Sequence, residues 1–300
     1  MSKRKGIDLT GVFLLNKDKG ISSNRALQQI KRLYNAKKAG HTGSLDPMAT
    51  GLLPICFGKA TKICQYLLDS DKTYEATIKL GIKTDTGDAE GNIIEQNDMV
   101  EFSEKAIDKA LNKFLGDIQQ VPPMHSALKR DGVPLYKLAR KGIEVERKPR
   151  NVNIYSLERL DYSAVLHELK ISVKCSKGTY IRTLAEDIAN ELGVYAHLIA
   201  LNRTACGLYN LDDSYQYFPI KDTDANLDYI IPVESAFNDK EILYINLDNY
   251  TKFIKTGTLI CDIPKESGVY RLYIKSNENN KFLGVVNFES GKLLNRQLFI

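Results

Sequence analysis

The chain has 300 residues, 43% of them hydrophobic and 26% charged, which is more than one modest core needs and predicts a large domain with a smaller one beside it. No apolar run approaches the ~20 residues of a membrane helix, and the basic start Met1-Ser2-Lys3-Arg4-Lys5 lacks the apolar segment of a signal peptide. Five cysteines without a C-x-x-C pair argue against a disulfide framework and a zinc site, so a cytoplasmic protein without a membrane partner is expected. The net charge of +5 is modest, but positive residues clump at Lys31, Arg32, Lys37 and Lys38 and again from Lys129 to Arg150, which fits a polyanionic partner or a solvated surface equally well.

Val12 to Leu15 reads as a strand ended by the turn Asn16-Lys17-Asp18-Lys19-Gly20. Ser22 or Ser23 can cap a helix in which Ala26, Leu27, Ile30, Leu33 and Tyr34 recur at helical spacing. The turn-rich stretch 40–51 follows, Gly-His-Thr-Gly-Ser-Leu-Asp-Pro-Met-Ala-Thr-Gly, with one carboxylate, one imidazole and three hydroxyls. Pro47 pushes Asp46 out of the α region, so this carboxylate is expected on extended or turn backbone, where it can face a cleft. Ala60, Ile63, Cys64, Leu67 and Leu68 then predict a second helix.

From Thr73 to Leu80 polar and apolar residues alternate, with Tyr74 at the start of the buried face. Gly81 to Gly91 reads as a polar loop carrying Asp85, Asp88 and Glu90, and Ser103 as the cap of a helix that Gly116 stops. Val121 to Lys129 is expected to be irregular or edge-like because Pro122 and Pro123 cannot donate to a ladder, and Pro134 opens a short helix closed by Gly142. Two strands follow, one at Val152 and Ile154 and one from Leu169 to Cys175. The second runs through Ser176-Lys177-Gly178-Thr179 into a helix with Tyr180, Ile181, Leu184, Ala185, Ile188 and Leu192, like an anion-binding corner. Arg182, in the first turn and off the apolar stripe, is free to reach a carboxylate or a phosphate. Residues 212–238 are acidic and irregular, as a connecting or wrapping segment would be, and short alternating runs from 241 to 300 read as a small β domain.

Three chemistries can be weighed on these residues. His41, Asp46, Asp85, Asp88 and Glu90 include possible metal ligands but show neither H-E-x-x-H spacing nor a full calcium loop, so no metal is expected. Ser126-Ala127-Leu128-Lys129 matches the S-x-x-K of serine acyl enzymes, without a K-T-G partner. Gly51 to Lys59 has the wrong spacing for a phosphate-binding P-loop.

The segment from His41 to Leu53 resembles the signature of the TruB family of pseudouridine synthases. Three further blocks match in order: Lys72-Thr73-Tyr74 with Leu80-Gly81 and 84–88; 122–129 with 135–140; and 177–182 with 201–204. The resemblance covers about residues 10 to 210. One departure is Asp18, where the family's early turn usually carries proline after lysine.

The resemblance implies an α+β protein with the pseudouridine synthase fold, a mixed, mostly antiparallel sheet flanked by helices. It implies a catalytic domain over 1–238, with 212–238 as its connecting segment, and a small PUA-like RNA-binding β domain over 239–300. The implied activity is isomerisation of uridine-55 in the T stem-loop of tRNA, by a monomer needing no cofactor. Asp46 matches the family's nucleophile, Arg182 would hold it ionised, and Tyr74 would stack on the target base or handle a proton. Tyr180 and Leu201 would complete the pocket, with His41, Asp88 and Lys19 also among the substrate-binding residues. The base must leave its stack to be reached. A non-catalytic tRNA-binding or tRNA-chaperone protein is the alternative.

Overall fold

Two strands without a polar face organise the molecule. In Gly11–Lys17 and Thr50–Phe57, the side chains of Phe13, Leu15, Leu53, Ile55 and Phe57 enter one core, and those of Val12, Leu14, Leu52 and Cys56 enter a second on the opposite side. A strand covered on both faces needs apolar residues at successive positions rather than alternate ones. The computed structural model describes residues 6–98, 101–217, 225–260, 266–275 and 279–299, and in these the two strands pair antiparallel, from Gly11 opposite Phe57 to Lys17 opposite Gly51.

They belong to a sheet of eleven strands among the described residues. Its main path runs Tyr215–Gln216, Gly11–Lys17, Thr50–Phe57, Ala196–Cys206, Lys72–Leu80, Glu168–Cys175, Arg150–Ser163 and Gly116–Gln120. Neighbours on this path are antiparallel except at Tyr215–Gln216 with Gly11–Lys17 and at Thr50–Phe57 with Ala196–Cys206. The second parallel junction is close: a Cβ on Gly51, at φ +102°, would lie 2.4 Å from the carbonyl oxygen of Arg203. Only glycine fits there, since a backbone neighbour cannot move aside as a side-chain end can.

Apolar faces of the helices Ser23–Leu33, Glu104–Asn112 and Ile181–Glu191 fill the first core. Ser22 caps the first of these by accepting the N–H of Arg25, and Ser103 caps the second by accepting that of Ala106. The second core is closed by the 3-10 turn Gly58–Ile63, the short helix Cys64–Leu68, the 3-10 turn Val233–Phe237 and Val285. Among the described residues, a five-stranded sheet runs in the order Ile242–Ile245, Gly268–Ile274, Lys281–Glu289, Lys292–Leu298 and Thr258–Ile260. Its own core includes Leu243, Phe253, Leu272 and Val286.

The structure differs from the sequence reading at several elements. Thr50–Phe57 and Ala196–Cys206 are strands that the reading does not contain, because buried runs such as Leu52 to Phe57 carry no period that separates strand from helix. The helix expected over 60–68 is a 3-10 turn leading into five α-helical residues. The polar loop after Gly81 holds a hairpin of Ile82–Thr84 with Ile93–Gln96. Within 212–238, expected to connect or wrap, the described strands Tyr215–Gln216 and Ile230–Ile231 both pair with Gly11–Lys17. The run from Tyr244 to Leu247 splits, with Ile242–Ile245 a strand and Leu247–Thr256 a helix that Asn246 caps.

Candidate active site

The loop 42–49 leaves the short strand Ala39–His41 and returns along Thr50–Phe57, to which that strand is paired. Contacts from outside fix it on both sides of Asp46. The hydroxyl of Ser23, buried in the helix start, accepts the N–H of Leu45 at 2.7 Å and donates to its carbonyl at 3.0 Å. On the far side the carbonyl of Pro47 accepts the N–H of Gly20 at 2.7 Å and lies 3.4 Å from Nζ of Lys17. Flanking the loop on either side, Arg203 donates from Nη2 to the carbonyl of Gly43 at 3.2 Å and from Nε to that of Leu52 at 2.7 Å. Asp46 therefore projects from a non-helical backbone whose neighbours on both sides are tied to other elements.

Arg182 lies in the first turn of Ile181–Glu191 and is buried. Its Nε is 3.0 Å from Oδ2 of Asp46, while Nη1 donates to the carbonyl of Thr86 at 2.8 Å and Nη2 to that of His125 at 2.7 Å. Asp88 is also buried, with Oδ2 3.6 Å from Nη1 of Arg182. Its Oδ1 accepts from the hydroxyl of Thr86 at 2.7 Å and the N–H of Glu90 at 3.1 Å. The guanidinium fork is thus committed on every nitrogen, a geometry that a lysine ammonium could not reproduce. The Asp46 side chain keeps 40% of its surface exposed, so one face of the carboxylate remains open.

Burial pushes the Asp46 carboxyl above its ordinary value, and the charge of Asp88 adds to that, whereas Arg182 and more weakly Lys17 pull it down. Arg182 opposes desolvation by direct ion pairing. Lys17 is fully enclosed, donates to the carbonyls of Asp18 and Ile21, and is pushed down by burial to about 8.

Tyr74 is half-buried on Lys72–Leu80, directly opposite Arg203 in the register of Ala196–Cys206. Burial raises its phenol, and the Arg203 guanidinium beside it acts in the other direction. Leu201, buried one step along the same strand face, lines a cleft of about 280 Å³ with Lys19, Met48 and Thr50. His41 is half-buried, its Nδ1 3.4 Å from the N–H of Gly43, and burial followed by the charge of Arg203 lowers the imidazole and favours the neutral form.

Tyr180 precedes the Arg182 helix, and its backbone is gripped by Gln120, which accepts the Tyr180 N–H at 3.0 Å and donates to its carbonyl at 3.3 Å. The turn before that helix, expected as an anion corner, spends its groups within the protein. Ser176 Oγ accepts the N–H of Asn153 at 2.9 Å and Lys177 pairs with Asp69 at 2.8 Å. The S-x-x-K spacing forms no nucleophile and base, because Ser126 is buried with a hydroxyl lacking any hydrogen-bond partner, while Lys129 is exposed on the two-residue strand Lys129–Arg130. Among the described residues no group of three or more His, Cys, Asp or Glu side chains could hold a metal ion.

The structure thus joins Asp46, Arg182 and Asp88 directly, and Leu201 with Lys19 across one cleft. Sequence reasoning assigned nothing to Arg203 or Gln120, and offered Ser23 only as one of two candidate helix caps. The usable signal was polarity: Arg203 and Gln120 are polar residues on buried strand positions, which calls for an internal partner.

A family model described as TruB family pseudouridylate synthase, N-terminal domain, matches residues 31–181, and one described as tRNA pseudouridylate synthase B C-terminal domain matches residues 182–238. The chain belongs to the TruB family of pseudouridylate synthases. It is 51% identical over 300 residues to the tRNA pseudouridine synthase B of Francisella philomiragia, covering 99% of this chain and 97% of that protein. The protein of the same name from Francisella tularensis subsp. novicida is 50% identical over the same coverage. Among solved structures, a Cbf5–Nop10–Gar1 complex aligns with a TM-score of 0.71 at 24% identity over 97% of this chain and 85% of that one. An H/ACA ribonucleoprotein bound to a substrate RNA containing 2′-deoxyuridine aligns at 0.69 and 21% identity, over 100% and 91%. These likenesses show the pseudouridine synthase fold, and membership of the TruB family makes the chain an isomerase.

Proposed function

We propose that this protein converts uridine-55 in the T loop of tRNA to pseudouridine, with Asp46 as the nucleophile. The observation that carries the reading is the Asp46–Arg182 pair: a carboxylate that burial raises and the guanidinium pulls back down, with one face open, in a member of this family. The reaction breaks the N1–C1′ bond, turns the base and joins C1′ to C5; the proton on C5 leaves to solvent and N1 takes one up, so the product is an isomer of the substrate. Electrons balance without an oxidant or reductant. A carboxylate oxygen supplies the transient bond, at C6 of the base or at C1′.

The remaining residues take roles that follow from their positions. Tyr74 and Leu201 bound the face on which the flipped uracil packs, and Tyr180 closes it from the Arg182 helix. His41, neutral, lies against the opened loop, and Lys19 meets a backbone phosphate from its exposed position at the Leu201 cleft. Asp88, with its oxygens turned to Thr86, Glu90 and Arg182, serves the substrate site by holding the guanidinium. The basic residues from Lys129 to Arg150 and at Lys31, Arg32, Lys37 and Lys38 provide the electrostatic attraction for tRNA, recognised chiefly through its folded shape. Residues 1–238 form the catalytic module, acting as a cytoplasmic monomer without a cofactor, and 239–300 a PUA-like module adding RNA contacts.

The test is tritium release from a T-loop transcript labelled at uridine C5, with purified protein and no added metal or nucleotide. Stoichiometric release with pseudouridine at position 55 is expected. Tight binding without release would overturn the reading and favour a non-catalytic tRNA-binding protein.

A further inference from the structure

Segment 120–126 touches the Arg182 helix start at three places. Gln120 grips the backbone of Tyr180, the carbonyl of His125 accepts from Arg182 Nη2, and Ser126 brings its side chain to the Tyr180 phenol. The first two contacts are complete hydrogen bonds. The third is not: Ser126 is 5% exposed, its Oγ is buried, and it has no hydrogen-bond partner.

The Ser126 backbone is fixed, its N–H donating to the carbonyl of Met124 at 2.9 Å and its own carbonyl accepting the N–H of Tyr136 at 3.0 Å. The unpaired hydroxyl is therefore not the result of a loose chain. An orphan hydroxyl in a dry site opposes folding, and an alanine there would remove the cost without leaving a large void. A serine at such a position calls for a partner that the free protein does not complete.

We propose that Ser126 is a positioning residue for Tyr180: its hydroxyl donates to the Tyr180 phenolic oxygen when the flipped base packs against that ring, and fixes the ring over the substrate. This deepens the function proposed above and rests on it. Burial raises the Tyr180 phenol, and the Ser126 hydroxyl is the strongest influence in the opposite direction, as a donor aimed at the phenolic oxygen would be. In the free protein the hydroxyl stands near the phenol without a completed hydrogen bond, and the bond closes in the loaded enzyme, so its effect falls on the bound substrate rather than on the stability of the free protein.

A double-mutant cycle tests this on the full chain, with Ser126→Ala and Tyr180→Phe singly and together, the T-loop transcript as substrate, and melting of the free proteins as control. Ser126→Ala is expected to melt at or above the wild-type temperature, to lose about tenfold in kcat and to change KM less than twofold. In the Tyr180→Phe background the same change is expected to alter kcat less than twofold, and Ser126→Thr, which retains the hydroxyl, to recover most of the loss. An equal kcat loss in both backgrounds, a wild-type kcat for Ser126→Ala, or a lowered melting temperature that accounts for the loss would overturn the proposal while wild-type turnover left the function standing. Absence of wild-type turnover would instead overturn the function, and this proposal with it.

Discussion

Arg182 and Asp46 form a 3.0 Å pair in which only one member is free to leave it: the arginine is tied to the carbonyls of Thr86 and His125, whereas the carboxylate keeps an open face. The asymmetry suits a nucleophile that must move toward substrate while its counter-charge stays in place. Burial raises the Asp46 carboxyl and Arg182 lowers it, so with Asp46 as the proposed nucleophile the two effects are expected to set the acid limb of activity. Under the proposed function the reactive form is the ionised one, and kcat/KM is expected to fall as pH drops through a carboxyl pKa lying above its ordinary value. Arg182→Lys, which cannot satisfy three acceptors at once, is expected to lose about a hundredfold or more in kcat/KM. Its acid limb is expected to move to higher pH. A pH–rate profile checks both, and an unmoved limb would remove Arg182 from control of Asp46.

Asp46→Asn keeps the shape of the site and removes the charge. Tritium release is expected to fall below detection while tRNA affinity stays within a few-fold of wild type, because the basic surface is untouched. The raised carboxyl also opposes folding at neutral pH: between the ordinary value and the raised one the folded chain binds more protons than the unfolded chain, so this group's stabilisation declines as pH rises through that window. The asparagine variant is expected to lack that component of the pH dependence in a denaturation series.

Much of this arrangement was legible in the sequence because its signals are local. Pro47 after Asp46 fixed a non-helical backbone, Ser22 three residues before Arg25 gave a cap, and alternation from Thr73 to Leu80 gave a strand with Tyr74 toward the interior. Arg182 could be placed off the apolar stripe of its helix, though not on Thr86 and His125, whose carbonyls come from loops 96 and 57 residues away. Thr50–Phe57 was not legible as a strand, since burial on both faces erases alternation, and Ala196–Cys206 was not because His197 and Arg203 place polar residues at buried positions. The anion corner failed because Gln120, distant in sequence, accepts the N–H that a ligand would have used.

Adjacent serines separate stability from catalysis. Ser22 is an exposed cap accepting one N–H, and Ser22→Ala is expected to cost about 1 kcal/mol with kcat unchanged. Ser23 is buried and satisfies both backbone groups of Leu45, the residue before Asp46. Ser23→Ala leaves a donor and an acceptor unpaired, for which about 2–4 kcal/mol is expected, together with roughly a tenfold fall in kcat. Denaturant titration and steady-state kinetics on the two variants check the contrast. Equal kcat values would show that pinning Leu45 does not position Asp46.

Lys17 offers a test of the same loop through pH. Its ammonium is enclosed, is pushed down to about 8, and donates to the carbonyls of Asp18 and Ile21 with the carbonyl of Pro47 nearby. In the unfolded chain a lysine titrates near ~10.4. Between the two values the unfolded chain carries more protons, so stability from this group rises with pH across the window and is lost as pH falls through about 8. Lys17→Met leaves the carbonyls unpaired and is expected to be less stable than wild type by about 2 kcal/mol or more at neutral pH. The gap is expected to widen from pH 8 upward, by at most about 1.4 kcal/mol per pH unit. Chemical denaturation of both proteins from pH 7 to 10 measures it, and a constant gap would mean that the buried ammonium does not release its proton on folding.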